Sequence, residues 1–212
     1  MKTGLILGAS IAAVLAGPAL AQSPTTADWA GVYVGANLAW PKADVEDNYD
    51  SLQLFSFKID GRSAGLQLGY NLQSGMFVYG LEAGFSFGSV TGIGTCAICT
   101  GTSTQPDMEI GRTAALRARV GIANRNMLYF ASLGVGRADA SVVDPLQGGS
   151  DSQRHRGLLA GLGVDWKVSP ALSVGAEYIY GRYEDIPYAL IITPDVIGFE
   201  TQELRLDLKL SF

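Results

Sequence analysis

Residues 203–212 read ELRLDLKLSF, an unbroken alternation of apolar and polar side chains. Leucine or phenylalanine fills every second position, and charged residues fill most of the positions between them. A period of two is typical of a β-strand with one apolar and one polar face. The charges on the polar face are balanced, since Glu203 and Asp207 alternate with Arg205 and Lys209. This balance favours ion pairs between strands over a face turned to water.

Seven further segments alternate in the same way. They fall near residues 32–40, 64–71, 77–87, 113–122, 129–136, 158–167 and 172–181. Short connections at 72–76, 124–126 and 168–171 take turns with long ones at 41–58, 89–108, 139–154 and 184–199. Strands joined by short turns on one side and long loops on the other are typical of outer-membrane barrels. We therefore predict an all-β fold, an eight-stranded antiparallel up-and-down transmembrane β-barrel.

Composition limits the other classes. Charged residues make up 17% of the 212 residues, below the average of about 25%. The net charge of -5 leaves no basic footprint for nucleic acid. Residues 1–21 combine Lys2, a short apolar run and Ala19-Leu20-Ala21, which predicts a cleaved signal peptide. No later apolar run reaches the roughly 18 residues of a membrane helix. We expect a short periplasmic segment over residues 22–28 and a barrel domain over residues 29–212.

Apolar faces turned to lipid would leave the ionic residues inside the barrel. Charges facing lipid would cost about 2–4 kcal/mol each at the midplane for Arg or Lys. Glycines on the same face would make room for them in a narrow interior. We predict an interior ion-pair network of Glu82, Arg117, Arg119, Asp165, Lys167, Glu177, Arg205, Asp207 and Lys209. The alternative is that Arg117, Arg119, Glu177 and Arg205 line a solute path.

The large aromatic residues fall at strand ends. Two girdles, one at each membrane interface, would account for this placement. The predicted girdles are Tyr70, Phe77, Tyr129, Trp166 and Phe212 beside the short turns, and Trp40, Phe85, Phe87 and Tyr180 beside the long loops.

Few residues suggest further chemistry. Cys96 and Cys99 form a C-x-x-C in a predicted outer loop, where a disulfide, a redox pair or half a zinc site are the options. A disulfide is favoured in an exported protein. His155 is the only histidine, and we expect it to face solvent or lipid headgroups. We predict no catalytic residues, no metal site and no cofactor.

One motif resembles a known family. Residues 28–37, DWAGVYVGAN, resemble the first barrel strand of small proteobacterial outer-membrane proteins of the porin-family or opacity type, which begins W-x-G-x-Y-x-G. Residues 116–121 (LRARVG), 161–166 (GLGVDW) and 176–180 (AEYIY) look similar too. The resemblance implies an OmpA-like barrel in the bacterial cell outer membrane, in contact with its lipid and lipopolysaccharide. It also implies that Phe212 is a C-terminal signal for the outer-membrane assembly machinery.

These observations predict a non-enzymatic function. We expect a structural and surface protein that supports the envelope and makes external contacts through long loops. The alternative is a narrow, low-conductance channel for small solutes. No external ligand is identified by the sequence.

Overall fold

The structure, a computed structural model, describes residues 26–47, 55–96, 107–144, 149–189 and 194–212. The predicted signal peptide lies outside these residues. The eight strands are β1 (Gly31–Asp47), β2 (Phe55–Ser74), β3 (Phe77–Cys96), β4 (Asp107–Asn124), β5 (Met127–Asp144), β6 (Gly149–Lys167), β7 (Leu172–Ala189) and β8 (Pro194–Ser211). The part of the chain that is described contains no helix long and apolar enough to cross a membrane.

The strands pair antiparallel in sequence order and close into a barrel. Closure is made by β1 and β8, whose register runs from Tyr33 opposite Ser211 to Asp47 opposite Ile197. Every strand therefore has two hydrogen-bonded neighbours, which leaves no open sheet edge along the closed part. The prediction of an eight-stranded antiparallel up-and-down barrel is confirmed.

Tight turns connect the strands at one end, which we call the turn side. Gly75 lies in the two-residue turn between β2 and β3 with a φ of +61°, in the left-handed region that glycine adopts freely. Arg125 occupies the equivalent turn between β4 and β5 with a φ of +52°. These turns fix the register of their hairpins, because a two-residue connection allows little slippage.

The opposite end, the loop side, differs from the prediction. The predicted long loops are mostly strand, since β1 continues to Asp47 and β2 begins at Phe55, and the other three pairs extend in the same way. Each strand has 17–20 residues, whereas a membrane crossing needs about 9–11. The barrel wall therefore continues well beyond the segment that carries the apolar outer face.

The two faces of the wall exchange character along its length. Over the turn-side half, leucines point outward, as at Leu162 with 69% of its surface exposed, and charged groups point inward. Over the loop-side half, Ala138, Ala140 and Val142 of β5 are buried inside while Arg137 is exposed outside. The alternation persists with its polarity reversed, which is the arrangement expected where a barrel leaves lipid and enters water.

Candidate functional site

The turn-side half of the interior holds a compact set of charges that we call the central polar layer. It consists of Tyr33, Glu82, Arg117, Arg119, Ser132, Asp165, Glu177 and Lys209. Arg117 bridges two carboxylates: Nη1 lies 2.7 Å from Glu177 Oε1, and Nη2 donates to Glu82 Oε1. Only 2% of the Arg117 side chain is exposed. Its fork geometry suits two carboxylates that come from different strands, Glu82 from the neighbouring β3 and Glu177 from β7 across the interior.

A second bridge runs through Arg119. Its Nη2 lies 2.8 Å from Asp165 Oδ2, and its Nη1 donates to the Tyr33 hydroxyl at 2.7 Å. The Tyr33 hydroxyl donates in turn to Glu82 Oε2 at 2.7 Å. Lys209 Nζ contacts both oxygens of Asp165, at 2.8 and 2.9 Å. The layer is thus continuous from β1 through β3, β4 and β6 to β8.

Glycines on the inner face leave the volume that these side chains fill. A Cβ at Gly134 would overlap the carbonyl oxygen of Leu116 and crowd the backbone of Arg117. A Cβ at Gly69 would overlap the Tyr33 ring, and one at Gly175 the Asp165 carboxylate. The interior therefore accommodates bulky ionic residues because their cross-strand neighbours have no side chain.

Three residues assigned to the network by sequence lie at its margins. Lys167 donates to the backbone carbonyl of Asp28, with its ammonium 4.9 Å from the centre of the Trp29 ring. Arg205 pairs with Glu203, two residues away on its own strand, at 2.7 Å. Asp207 Oδ2 lies 3.8 Å from Lys209 Nζ. All three side chains are buried, but none bridges strands as Arg117 and Arg119 do.

Two aromatic residues of the site went unassigned at the sequence level. Tyr33 links Glu82 to Arg119, and Phe130 lies under Arg119 with its ring centre 3.8 Å from the guanidinium carbon. A signal for each was present, because both interrupt an inner face otherwise made of glycine and polar residues. Aromatic rings beneath guanidinium groups stabilise the charge through cation–π contact.

An apolar cluster closes each end of the interior. The turn-side cluster consists of Trp29, Val78, Ala123, Leu128 and Phe130, with Ala27 packed against it. The loop-side core consists of Ala43, Ile59, Val90, Met108, Ile110, Ala138, Ala140, Val142, Leu159, Ile179, Tyr183, Ile197 and Phe199. Between this core and the central polar layer lies a cavity of about 60 Å³ that reaches Arg117, Glu203 and Arg205. The described interior is therefore packed in three successive layers.

The aromatic residues predicted as girdles all lie on the outer face. Tyr70, Phe77, Tyr129 and Trp166 are about half exposed near the short turns, and Phe212 is the most exposed of the set. Trp40, Phe85, Phe87 and Tyr180 lie on the outer face at the other end of the apolar band. Trp40 lies opposite Leu204 of β8 and Tyr180 lies opposite Gln202, so these two members of the band are two residues apart in height.

The expectation for His155 is wrong. Its side chain is fully buried inside the loop-side half, with its Nδ1 3.0 Å from the Glu184 carbonyl and its ring 4.9 Å from that of Phe199. The reversed polarity of the wall explains this, because inward positions at this height belong to or adjoin the apolar loop-side core. Burial lowers the pKa of His155, against the opposing effect of Glu184 and Asp185. The predicted Cys96–Cys99 disulfide includes Cys99, which lies outside the described residues.

The proteins that this chain resembles in sequence are outer-membrane proteins. Residues 9–212 match the family model described as "Outer membrane protein beta-barrel domain". The 25 kDa outer-membrane immunogenic protein of Brucella canis is 27% identical over 199 residues, covering 92% of this chain and 84% of that protein. The 22 kDa outer membrane protein of Rhizobium leguminosarum bv. viciae is 24% identical over 186 residues, covering 87% and 78%. The crystal structure of Neisserial surface protein A superposes with a TM-score of 0.54 at 18% identity, covering 86% of this chain and 97% of that one.

Proposed function

Since the chain belongs to the outer-membrane protein β-barrel domain family, we propose that it is a non-conducting structural protein that stabilises the outer membrane and presents its loop-side rim to the exterior. The location in the bacterial outer membrane is shared with the named relatives. The turn side then faces the periplasm and the loop side faces outward, as in barrels of this kind.

The observation that carries the proposal is the three-layer packing of the interior. A hydrated solute or ion would have to displace the turn-side cluster, break the ion pairs of Arg117 and Arg119, and then cross the loop-side core. Each step removes packed or paired groups from their partners, which is costly in a close-packed interior. Eight strands enclose just enough space for such side chains and little more.

A conductance measurement tests the non-conducting part of the proposal. Purified full-length mature protein, refolded and inserted in a planar bilayer, should give no steady single-channel steps. Steps that persist in a folded preparation and change with Arg117→Met would establish the narrow channel instead. A matched Arg112→Met variant, altered at an exposed loop-side arginine, separates an effect of the interior from a general loss of charge.

A deletion strain tests the structural part. Loss of the protein should increase entry of large hydrophobic antibiotics and sensitivity to detergent, because a stabilising barrel anchors the lipids around it. Complementation with the intact chain should restore resistance. A deletion strain with an unchanged permeability barrier would contradict the envelope role.

We further infer that Phe212 marks the chain for the assembly machinery of the outer membrane. Its side chain is the most exposed of the outward apolar residues, while its backbone N–H donates to the Val32 carbonyl at 2.9 Å. Removing Phe212 should lower the amount of folded protein in cells severalfold while leaving refolding in detergent nearly unchanged. An equal loss in both settings would assign Phe212 to stability instead.

A further inference from the structure

A groove crosses the outer wall where β4, β5, β6 and β7 leave the apolar band. Its volume is about 850 Å³. Leu116, Val135 and Leu158, each more than half exposed, give it an apolar floor, and Gly136 and Gly157 also line it. The pairing of β6 with β7 stops at Gly157 opposite Tyr183, although both strands continue beyond it. The groove therefore lies at the base of a gap in the barrel wall.

Three arginines line this groove: Arg137 and Arg156 at its loop-side edge, and Arg182 level with Leu158. All three are exposed, and Arg137 lies directly opposite Arg156 in the β5–β6 ladder. Like charges directly opposite each other destabilise a sheet. By contrast, Lys42 of β1 lies opposite an unlike charge, Asp60 of β2. The β5–β6 arrangement is thus the reverse of the one that stabilises the wall elsewhere.

Glu184 and Asp185 also line the groove, and each contacts a group other than the guanidinium groups of Arg137 and Arg156. Glu184 Oε1 accepts from the backbone N–H of Arg156 at 3.3 Å, and Asp185 lies against Gly198 of β8. Asp139 is shared between Arg112 and Arg154, at 3.8 and 3.5 Å. Within the described ranges, no carboxylate lies within 4.0 Å of the guanidinium groups of Arg137 or Arg156. Two adjacent cations are therefore left to bind an anion.

The depth of the arginines indicates which anion. Leu158 is 66% exposed and lies on the same outward face of β6 as Arg156, two residues closer to the turn side. Two residues of strand span about 7 Å. The cations thus lie directly above the lipid-facing surface, at the height of the headgroups of the outer leaflet. A ligand that contacts both floor and edge therefore needs an apolar chain joined to an anionic headgroup, and a phosphorylated lipid combines the two.

We propose that this groove binds a phosphorylated lipid of the outer leaflet. Its acyl chain lies along Leu116, Val135 and Leu158, and its phosphate accepts hydrogen bonds from Arg137 and Arg156. Arginine is well suited to this because its fork binds phosphate oxygens in pairs. The inference rests on the proposed envelope role and deepens it by naming a lipid class as partner.

The test measures binding of bisphosphorylated lipid A to the full mature protein in neutral detergent, by native mass spectrometry and by the shift of the thermal midpoint. Arg137→Gln with Arg156→Gln should weaken binding by at least about tenfold, since hydrogen bonds to charged groups are strong. Arg137→Lys with Arg156→Lys should retain part of it. Heat-modifiable mobility on gels verifies that each variant is folded.

Arg62→Gln is the matched control. Arg62 is exposed on β2, on the opposite wall of the barrel, two residues beyond Ala64, the partner of Phe87. Its removal should leave lipid A binding unchanged. Equal weakening by Arg62→Gln would show a general charge effect and overturn the site.

Other probes separate the sources of the anion. Lipid A without its phosphates should bind at least about tenfold less tightly, and inorganic phosphate or dextran sulfate should compete only weakly. Preferential binding of dextran sulfate would assign the arginines to a soluble polyanion and overturn the lipid proposal. Full lipid A binding by the folded double Gln variant would also overturn it. If the double Gln variant restores antibiotic resistance to the deletion strain, the envelope role stands but does not depend on this groove.

Discussion

Arg117 shows how one buried residue ties distant strands together. It comes from β4 and contacts Glu82 of β3 and Glu177 of β7. Replacing such a group with an apolar one leaves its partners charged and buried, which is far more costly than the pair itself is stabilising. The central polar layer is therefore sensitive to the loss of a single member.

We predict that Arg117→Met lowers the free energy of unfolding by about 3–5 kcal/mol. The loss arises because Glu82 and Glu177 stay buried without the guanidinium that bridges them. Urea titration of the folded protein in detergent micelles measures it. Arg112→Met is the control, since Arg112 is exposed and pairs with Asp139 at 3.8 Å, so that its removal should cost about 0–1 kcal/mol. Equal costs for the two variants would contradict a dependence on burial.

His155 gives the loop-side half a pH dependence. Burial lowers the pKa of His155 below 6.5 in the folded protein. The neutral ring is thus favoured by folding, and its contribution to stability is complete above pH 6.5 and is lost as the pH falls below that value. Unfolding titrations between pH 8 and 5 should show the decline. His155→Phe keeps a ring beside Phe199 and should remove the decline in unfolding free energy between pH 8 and 5. An unaltered decline in this variant would assign the pH dependence to carboxylates.

At the scale of the element, β8 carries both environments in one strand. Leu204, Leu206 and Leu208 are exposed on its outer face, Arg205 and Asp207 are buried inside, and Ile197 and Phe199 belong to the loop-side core. The inner face thus changes from apolar to ionic along β8 without a break in the alternation. Each strand crosses both the membrane and the water outside it. Whether an inward side chain is polar or apolar therefore depends on its level along the barrel axis as well as on the alternation.

We expect Leu206→Arg to lower the free energy of unfolding in lipid vesicles by about 2–4 kcal/mol, because the new charge would face hydrocarbon near the midplane. Thr91→Arg is the control, because Thr91 is exposed on the loop-side half of β3 between Asp60 and Glu109. The control should change stability by a few tenths of a kcal/mol at most. A small cost at both positions would mean that the leucine face does not meet lipid.

At the scale of the whole molecule, closure is the property that distinguishes this barrel from an open sheet. β1 and β8 join its ends, so all strands are paired on both sides over the band that faces lipid. Unpaired backbone groups in hydrocarbon cost several kcal/mol each, which makes the closed state strongly cooperative.

Cooperative closure predicts heat-modifiable mobility. On an SDS gel of an outer-membrane fraction, the protein should migrate faster when unheated than when boiled, because the closed barrel resists unfolding by detergent. A variant without residues 194–212 lacks β8 and exposes the edges of β1 and β7, so it should migrate identically before and after heating. A mobility shift in the truncated variant, or none in the intact chain, would contradict closure as the source of the resistance.

The sequence by itself determined the strand number and the antiparallel order, because eight alternating segments are joined by connections that are short and long in turn. It also determined the outward face of the apolar band, because a period of two fixes which side chains share a side of a strand. The inward set followed from the cost of placing charges in lipid. Phe130 and Tyr33 were visible as exceptions to the inner pattern, but their role beside Arg119 was not.

Only the tertiary structure decided which charges pair, how far the strands extend and where His155 lies. Arg117 and Glu177 are 60 residues apart and meet across the interior because closure and register set their heights. The loop-side segments became strands because their inner faces pack together into an apolar core that no single segment could form. Contacts across a closed barrel depend on the stagger of all eight strands, and local spacing carries no record of it.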